Sequence, residues 1–451
     1  MEKNVTKSFD VIDRDEKVIG SAIHIRFYPL SIESGKGVYL YDSDGNEYLD
    51  FNAGAAVAIC GYGHPKIVKA VQDQVEKLSH HCFTLHSNPV VVELAEKLIQ
   101  ITPGDWAKKI WFGLSGSDAN ETIYKLVPYA TKRRRIMSFM AAYHGQTMGA
   151  YTLSGHTAQT EIVGLPNVVK VPYAYCYRCP FGKDLECPEC GLQCVDFIEK
   201  QVMTTICPPR DTSCILVEPI QSDGGDIPPP PEFLKGLKEL CEKYGILFAV
   251  DEVKHGFGRT GKMFGIECFD IEPDIITMAK PMANGMPLSA CVAPTEILDS
   301  LVAGHLLTTG GHPVSAAASL ATLEVIKEEN LAKNAAEMGD YLIKRLSEIQ
   351  QERTLIGDVR GKGLIIGVEL VRDQKTKEPA SLECAKVMYR AWELGLILIY
   401  VGVHSNTIEI TPPLIINKEH CDKAIDIINQ SIKDVEEGKI SDEKIARFAG
   451  W

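Results

Sequence analysis

Apolar runs in the middle of the chain are short and unbroken, and three of them stop at an ionisable residue: Cys214-Ile-Leu-Val-Glu218, Ile246-Leu-Phe-Ala-Val-Asp251 and Ile275-Ile-Thr-Met-Ala-Lys280. Runs of this length without polar alternation are the pattern of strands covered on both faces, as in a parallel sheet. From about residue 56 to 314 such runs alternate with helical patterns and short glycine-rich joints, which predicts an α/β domain over 56–314. Before it, residues 39–50 alternate around Asp44-Gly45-Asn46, a hairpin signal, so 1–55 reads as an arm and hairpin. After it come helical residues 316–326, a charged amphipathic stretch, short strands at 364–370 and 407–410, and a helix near 418–436. That is a smaller α+β domain over 315–451.

In a sheet of this kind ligands lie beyond the carboxyl ends of the strands. Here that edge would carry Glu218, Asp251 and Lys280, with room for a crossover between successive strands. An aspartate and a lysine on one strand-end edge point to pyridoxal phosphate. Its aldehyde needs an amine for a Schiff base, and its pyridine nitrogen needs an acid to stay protonated and act as an electron sink.

The blocks Asp251-Glu-Val-Lys-His-Gly-Phe-Gly-Arg-Thr-Gly261, Glu272-Pro-Asp-Ile-Ile-Thr-Met-Ala-Lys280 and Asn284-Gly-Met-Pro-Leu-Ser289 resemble the class III aminotransferases, pyridoxal-phosphate enzymes of fold type I. The resemblance runs from about Tyr39 to Pro413, with its blocks in the family's order. Within the class the chain is similar to the isoleucine 2-epimerase type of amino-acid racemase, sharing Thr152-Leu-Ser-Gly155, Asp223-Gly-Gly225 and Gly450-Trp451. Racemases and transaminases share one scaffold, so this second likeness decides less.

The resemblance assigns roles to residues. Lys280 is the Schiff-base lysine, and its freed amine is the natural base to move a proton between Cα and the cofactor. A lysine snorkelling from a strand end is the bland alternative. Asp251 pairs with the pyridine nitrogen, although alone it would read as a helix cap. Gly116 and Ser117, in Ser115-Gly-Ser-Asp-Ala-Asn120 before a helical pattern, are the phosphate binders. Thr308, in Thr308-Thr-Gly-Gly-His-Pro313, reaches the phosphate of a neighbouring subunit, which implies a homodimer with shared sites. Tyr143 in Ala142-Tyr-His-Gly145 stacks on the pyridine face, with His144 in support. Val253 belongs to the same cofactor-binding set. Glu218 and Asp223 are second-tier; many members carry Glu at Asp223, whereas the racemase-like ones have Asp, which could serve as a second acid/base.

Two departures stand out. The class commonly has Gln where Lys254 stands, contacting the cofactor's phenolic oxygen, and a cation there would favour the phenolate. In Asn406-Thr-Ile-Glu-Ile-Thr-Pro-Pro413, Glu409 replaces the arginine that holds a substrate carboxylate in many relatives. A carboxylate cannot clamp another. In register, Glu409 leaves that task to another group, such as Arg26, or to a donor with no carboxylate near its amine.

Net charge is −13 and Lys132-Arg-Arg-Arg135 is the main basic cluster, which argues against nucleic acid as a partner. No signal-like or membrane-length apolar segment is read in the sequence, so a cytoplasmic location without membrane contact is expected. Of 14 cysteines, Cys60, Cys214, Cys241 and Cys291 sit in apolar segments and read as core. Cys176-x2-Cys179-x7-Cys187-x2-Cys190-x3-Cys194 has zinc-like pairs. The spacer is shorter than in common ribbons and the class requires no metal, so free thiols or a structural clip are expected.

Together these residues predict a ping-pong aminotransferase of class III. It would pass the amino group of a β- or ω-amino acid, its thioester or a simple amine to a 2-oxo acid. The rival on the same scaffold is an amino-acid racemase or 2-epimerase, which needs a second acid/base, Asp223.

Overall fold

The computed structural model describes all residues except 1–2, 158–160, 183–186, 188, 449 and 451, so Trp451 of the terminal block lies outside the described residues. Two compact units divide the chain: Met1–His64 with Lys333–Trp451, and Pro65–Ala332. These borders lie later than 55/56 and 314/315. The helix Pro313–Glu328 packs against the helices Pro65–Lys77 and Pro89–Ile101, which keeps it in the second unit.

The Pro65–Ala332 unit is built on a seven-stranded sheet. In spatial order its strands are Lys108–Gly113, Ser289–Pro294, Ile275–Met278, Leu247–Asp251, Thr212–Val217, Arg135–Phe139 and Val168–Val171. Ser289–Pro294 runs antiparallel to both neighbours and the rest are parallel. The three apolar runs are therefore adjacent central strands, in register Val217 to Val250 and Asp251 to Thr277. Their side chains are buried along Thr212–Val217 and Ile275–Met278, which is why the sequence shows no alternation.

The helix Gly116–Thr131 lays Ile123, Leu126 and Val127 into one core with Ile136, Cys214, Leu216, Ala249, Ile275 and Cys291. It ends at Lys132, in the left-handed conformation, and Arg134 and Arg135 beyond it pair with Asp211.

In the other unit the predicted hairpin is present as Tyr39–Asp42 and Glu47–Asp50, joined by Ile32–Lys36 and, in parallel, by Leu396–Ile397. A second sheet contains Ile356–Lys362, Ile365–Asp373, Thr407–Ile410 and Ile399–Val401. The stretch read as an arm contains a helix, Thr6–Val18. Asp44 accepts hydrogen bonds from its Lys7 and Ser8 amides, at 2.9 and 2.8 Å, and Phe9 packs edge-on against Phe448. Among the described residues no helix is long and apolar enough to cross a membrane.

Candidate active site at the strand ends

Asp251 closes the Leu247–Asp251 strand and is 3% exposed. A carboxylate this deep needs partners, and three are present. Val253 N donates to Oδ1 at 2.9 Å, Asn120 Nδ2 to Oδ2 at 2.7 Å, and His144 Nδ1 lies 2.7 Å from Oδ2. A carboxylate only accepts, so Nδ1 of His144 carries the hydrogen. Among the described residues His144 Nε2 is buried without a hydrogen-bond partner, and the His144 amide donates to Ser154 Oγ at 2.8 Å.

Asn120 joins three elements. Besides Asp251, its Nδ2 donates to the His144 carbonyl at 2.8 Å, and its Oδ1 accepts from Thr277 Oγ1 at 2.8 Å. Thr277 pairs with Asp251 across the sheet, and Lys280 follows three residues later, just past the strand end. Nothing in the sequence marks Asn120 as a site residue. A buried polar position inside a helix has no periodic signature.

The 16-residue helix Gly116–Thr131 opens at Ser115, whose side chain accepts from the Asp118 amide in a capping box. Gly116 and Ser117 are its first two residues. A Cβ at Gly116 would stand 2.7 Å from Val253 Cγ1, and one at Gly145 would stand 2.5 Å from Ser117 Oγ, so the backbone fits closely there. Ser117 Oγ accepts from the Gln146 amide at 3.0 Å. Tyr143 is half-buried, and burial raises its phenol pKa, with the Asp223 charge adding to the rise.

Glu218 follows the Thr212–Val217 strand and is 4% exposed. Burial, then the charges of Asp251 and Asp223, hold its pKa well above the usual carboxylate range. Asp223 lies in a tight turn closed by main-chain bonds in both directions between Gln221 and Ile227, 3.0 and 2.8 Å. Lys254 Nζ is 3.6 Å from Asp226 Oδ1 of that turn.

The structure thus brings together Asp251, His144 and Val253, sets Gly116 and Ser117 beside Val253 and Gly145, and places Asp223 where its charge reaches Tyr143 and Glu218. Thr308 is exposed in a turn before Pro313–Glu328. Glu409 lies in the other unit, fully buried, accepting from Thr411 Oγ1 at 3.1 Å. Arg26 is taken up by Asp15 at 2.7 Å and Glu16 at 3.7 Å. The five cysteines 176, 179, 187, 190 and 194 line one cavity of about 30 Å³ with Tyr173. Among the described residues no group of three His, Cys, Asp or Glu side chains is arranged to hold a metal.

A mainly parallel sheet with an acid-tipped strand beside a lysine-bearing one, facing a capped helix start, defines a fold type I pyridoxal-phosphate enzyme. The chain belongs to the class-III aminotransferase family, whose model matches residues 22–432. It is 42% identical over 445 residues to the leucine/methionine racemase of Thermococcus litoralis, covering 98% of this chain and 99% of that one. It is also 42% identical to the isoleucine 2-epimerase of Lentilactobacillus buchneri, over 99% of each chain. A solved transaminase of the marine bacterium Virgibacillus superposes with a TM-score of 0.87 at 30% identity, covering 95% of this chain and all of the other. The family's cofactor is pyridoxal 5′-phosphate. The donor set fits it: a fixed carboxylate, a neighbouring lysine, a half-buried aromatic ring, and glycines whose positions would clash with any Cβ.

Proposed function

We propose that the protein is a pyridoxal-phosphate amino-acid racemase or 2-epimerase acting at the α-carbon of a neutral amino acid. The observation that carries this reading is Asp223, a carboxylate on a closed turn in the field of Tyr143 and Glu218. The racemase and epimerase names of two relatives matched over nearly their full lengths support it.

Pyridoxal phosphate, when bound, supplies the electron sink that lets a proton leave the substrate's Cα. The chain's residues do the rest. Asp251, held by Asn120, His144 and Val253, favours a proton on the pyridine nitrogen. Gly116 and Ser117 would offer helix-start amides and a hydroxyl to the phosphate, and in a homodimer Thr308 of the neighbouring copy would join them. Tyr143 would stack on one face of the ring, and Lys254 lies on the loop that follows Asp251. Lys280 supplies the amine that anchors the cofactor. Its Nζ and the Asp223 carboxylate then take and return a proton at Cα from opposite faces, which inverts the centre.

The experiment is to incubate holoenzyme with L-alanine, L-serine, L-leucine, L-methionine and L-isoleucine, with and without a 2-oxo acid. Inversion at Cα without 2-oxo acid is expected, and Asp223→Asn should lower it about 10²–10⁴-fold, the usual worth of a positioned acid/base. Amino transfer that needs the 2-oxo acid, with no inversion, would overturn the reading.

One observation favours the aminotransferase with a β- or ω-amino acid, thioester or simple-amine donor. Glu409, buried against Thr411, supplies no cation for an α-carboxylate. The same incubations extended to those donors decide between the two.

A further inference from the structure

The loop after Asp251 touches the Asp223 turn through His255, a histidine that is 1% exposed and that the chemistry above does not use. Its Nδ1 lies 3.3 Å from the Asp251 main-chain oxygen and its Nε2 lies 3.0 Å from Ser222 Oγ. A carbonyl oxygen only accepts, so Nδ1 carries the hydrogen and Nε2 presents a lone pair. The Ser222 hydroxyl must then donate to it.

Ser222 immediately precedes Asp223 and is held on every side. Its amide donates to Glu218 Oε1 at 3.2 Å, and its carbonyl accepts from the Gly225 and Asp226 amides, both at 2.8 Å. Gln221 Nε2 donates to the Met140 carbonyl at 2.8 Å. From the histidine's own loop, Lys254 reaches Asp226. A serine–histidine pair in an open cleft would activate a nucleophile. At 2% exposure Ser222 has no room for a substrate, so the pair fixes the turn instead.

We propose that His255 is a positioning residue: as the neutral Nδ1–H tautomer it ties Ser222, and with it the Asp223 carboxylate, to the main chain of Asp251. This rests on the racemase reading. Burial, then the Lys254 charge, lowers the His255 pKa to about 3 against the opposing Asp251 charge, with Lys280 adding to the fall, so the imidazole is neutral near neutral pH. Misplacement of a reacting group by about 1 Å can cost about a hundredfold in rate, so a tie of this kind is felt in inversion.

The test separates the two faces of Cα. Lys280 is an amine with several exchangeable hydrogens, so in D₂O it returns deuterium to the face it has deprotonated without any help from Asp223. Inversion needs both groups. His255→Leu, Ser222→Ala, the double variant and His255→Gln are compared as holoenzymes, with whichever of the five amino acids the wild type inverts fastest, starting from each enantiomer. In His255→Leu and Ser222→Ala, inversion should fall about ten- to a hundredfold while α-deuterium uptake in the enantiomer that Lys280 deprotonates falls less than about threefold. The double variant should be no worse than the weaker single. His255→Gln, whose amide oxygen can accept from Ser222, should recover much of the inversion. Cofactor content after gel filtration should match wild type. Histidine ¹⁵N spectra, with His255 assigned by its loss in His255→Leu, should show an Nδ1–H tautomer that does not titrate near neutral pH.

A parallel fall in exchange and inversion, unchanged inversion, or a titrating His255 would overturn the proposal. A wild type that inverts none of the five amino acids removes the racemase reading and this proposal with it. Wild-type inversion lost in Asp223→Asn but intact in His255→Leu removes this proposal alone.

Discussion

Asn120 shows how one side chain can set the geometry of a site without touching substrate. Its amide nitrogen serves Asp251 and the His144 carbonyl, and its oxygen takes the Thr277 hydroxyl, so the helix Gly116–Thr131 is bonded to two central strands. Asn120→Ala leaves Asp251 one donor short and strands Thr277 Oγ1 in a buried place. Unsatisfied buried groups cost about 1–3 kcal/mol, so a lower melting temperature is expected, with slower turnover as Asp251 loses its fixed orientation. Calorimetry and initial rates on purified holoenzyme check both; wild-type values for each would mean the three bonds contribute nothing. Asp251 and Lys280 were legible in the sequence because an ionisable residue that ends an apolar run breaks the pattern around it. Asn120 and His255 sit among other polar residues in Ser115–Asn120 and Asp251–Thr260, and what distinguishes them is the partners each meets on another element, which packing alone decides.

At the scale of elements, the contact between the helix start and the loop after Asp251 is tight enough to forbid a methyl group. Gly116→Ala would push its Cβ against Val253, whose amide holds Asp251. Overpacking of this kind costs about 1–3 kcal/mol. Gly116→Ala should therefore lower the melting temperature and weaken cofactor retention, and Val253→Ala in the same chain should restore much of both, because contacting residues couple. Cofactor occupancy after dialysis measures it; additive losses would place the strain elsewhere. The three central strands, the hairpin and the helix Lys418–Glu436 were all readable, since periodicity and turn residues agreed. The helix Thr6–Val18 was not. Its charged residues dominate a weak apolar face, and the Asp44 carboxylate that caps its amides comes from a loop more than thirty residues on.

Across the molecule, buried titrating groups set how folding responds to pH. His255 has its pKa lowered from 6.5 to about 3, so between those values the unfolded chain binds a proton that the folded one does not, and stability falls as pH drops. Glu252, fully buried and accepting from the Gly265 and Ile266 amides, has its pKa raised by burial from 4.5 to about 8. There the folded chain keeps the proton, and stability falls as pH rises from 4.5 towards 8. Each group changes stability by up to about 1.4 kcal/mol per pH unit. The two offset each other between 4.5 and 6.5, so denaturant melts should find that His255→Leu flattens the acid limb and Glu252→Gln the limb between 6.5 and 8. Parallel curves for wild type and variants would show that neither group titrates on unfolding. The Asp223 turn has a different consequence at this scale. Because Gln221 and Ile227 exchange both main-chain hydrogen bonds, the residues between them form a closed ring whose ends stay put when its contents change. A side chain inside that ring can therefore be exchanged without shifting the register of the sheet beneath it, which puts the choice of outcome in a patch smaller than a single helix.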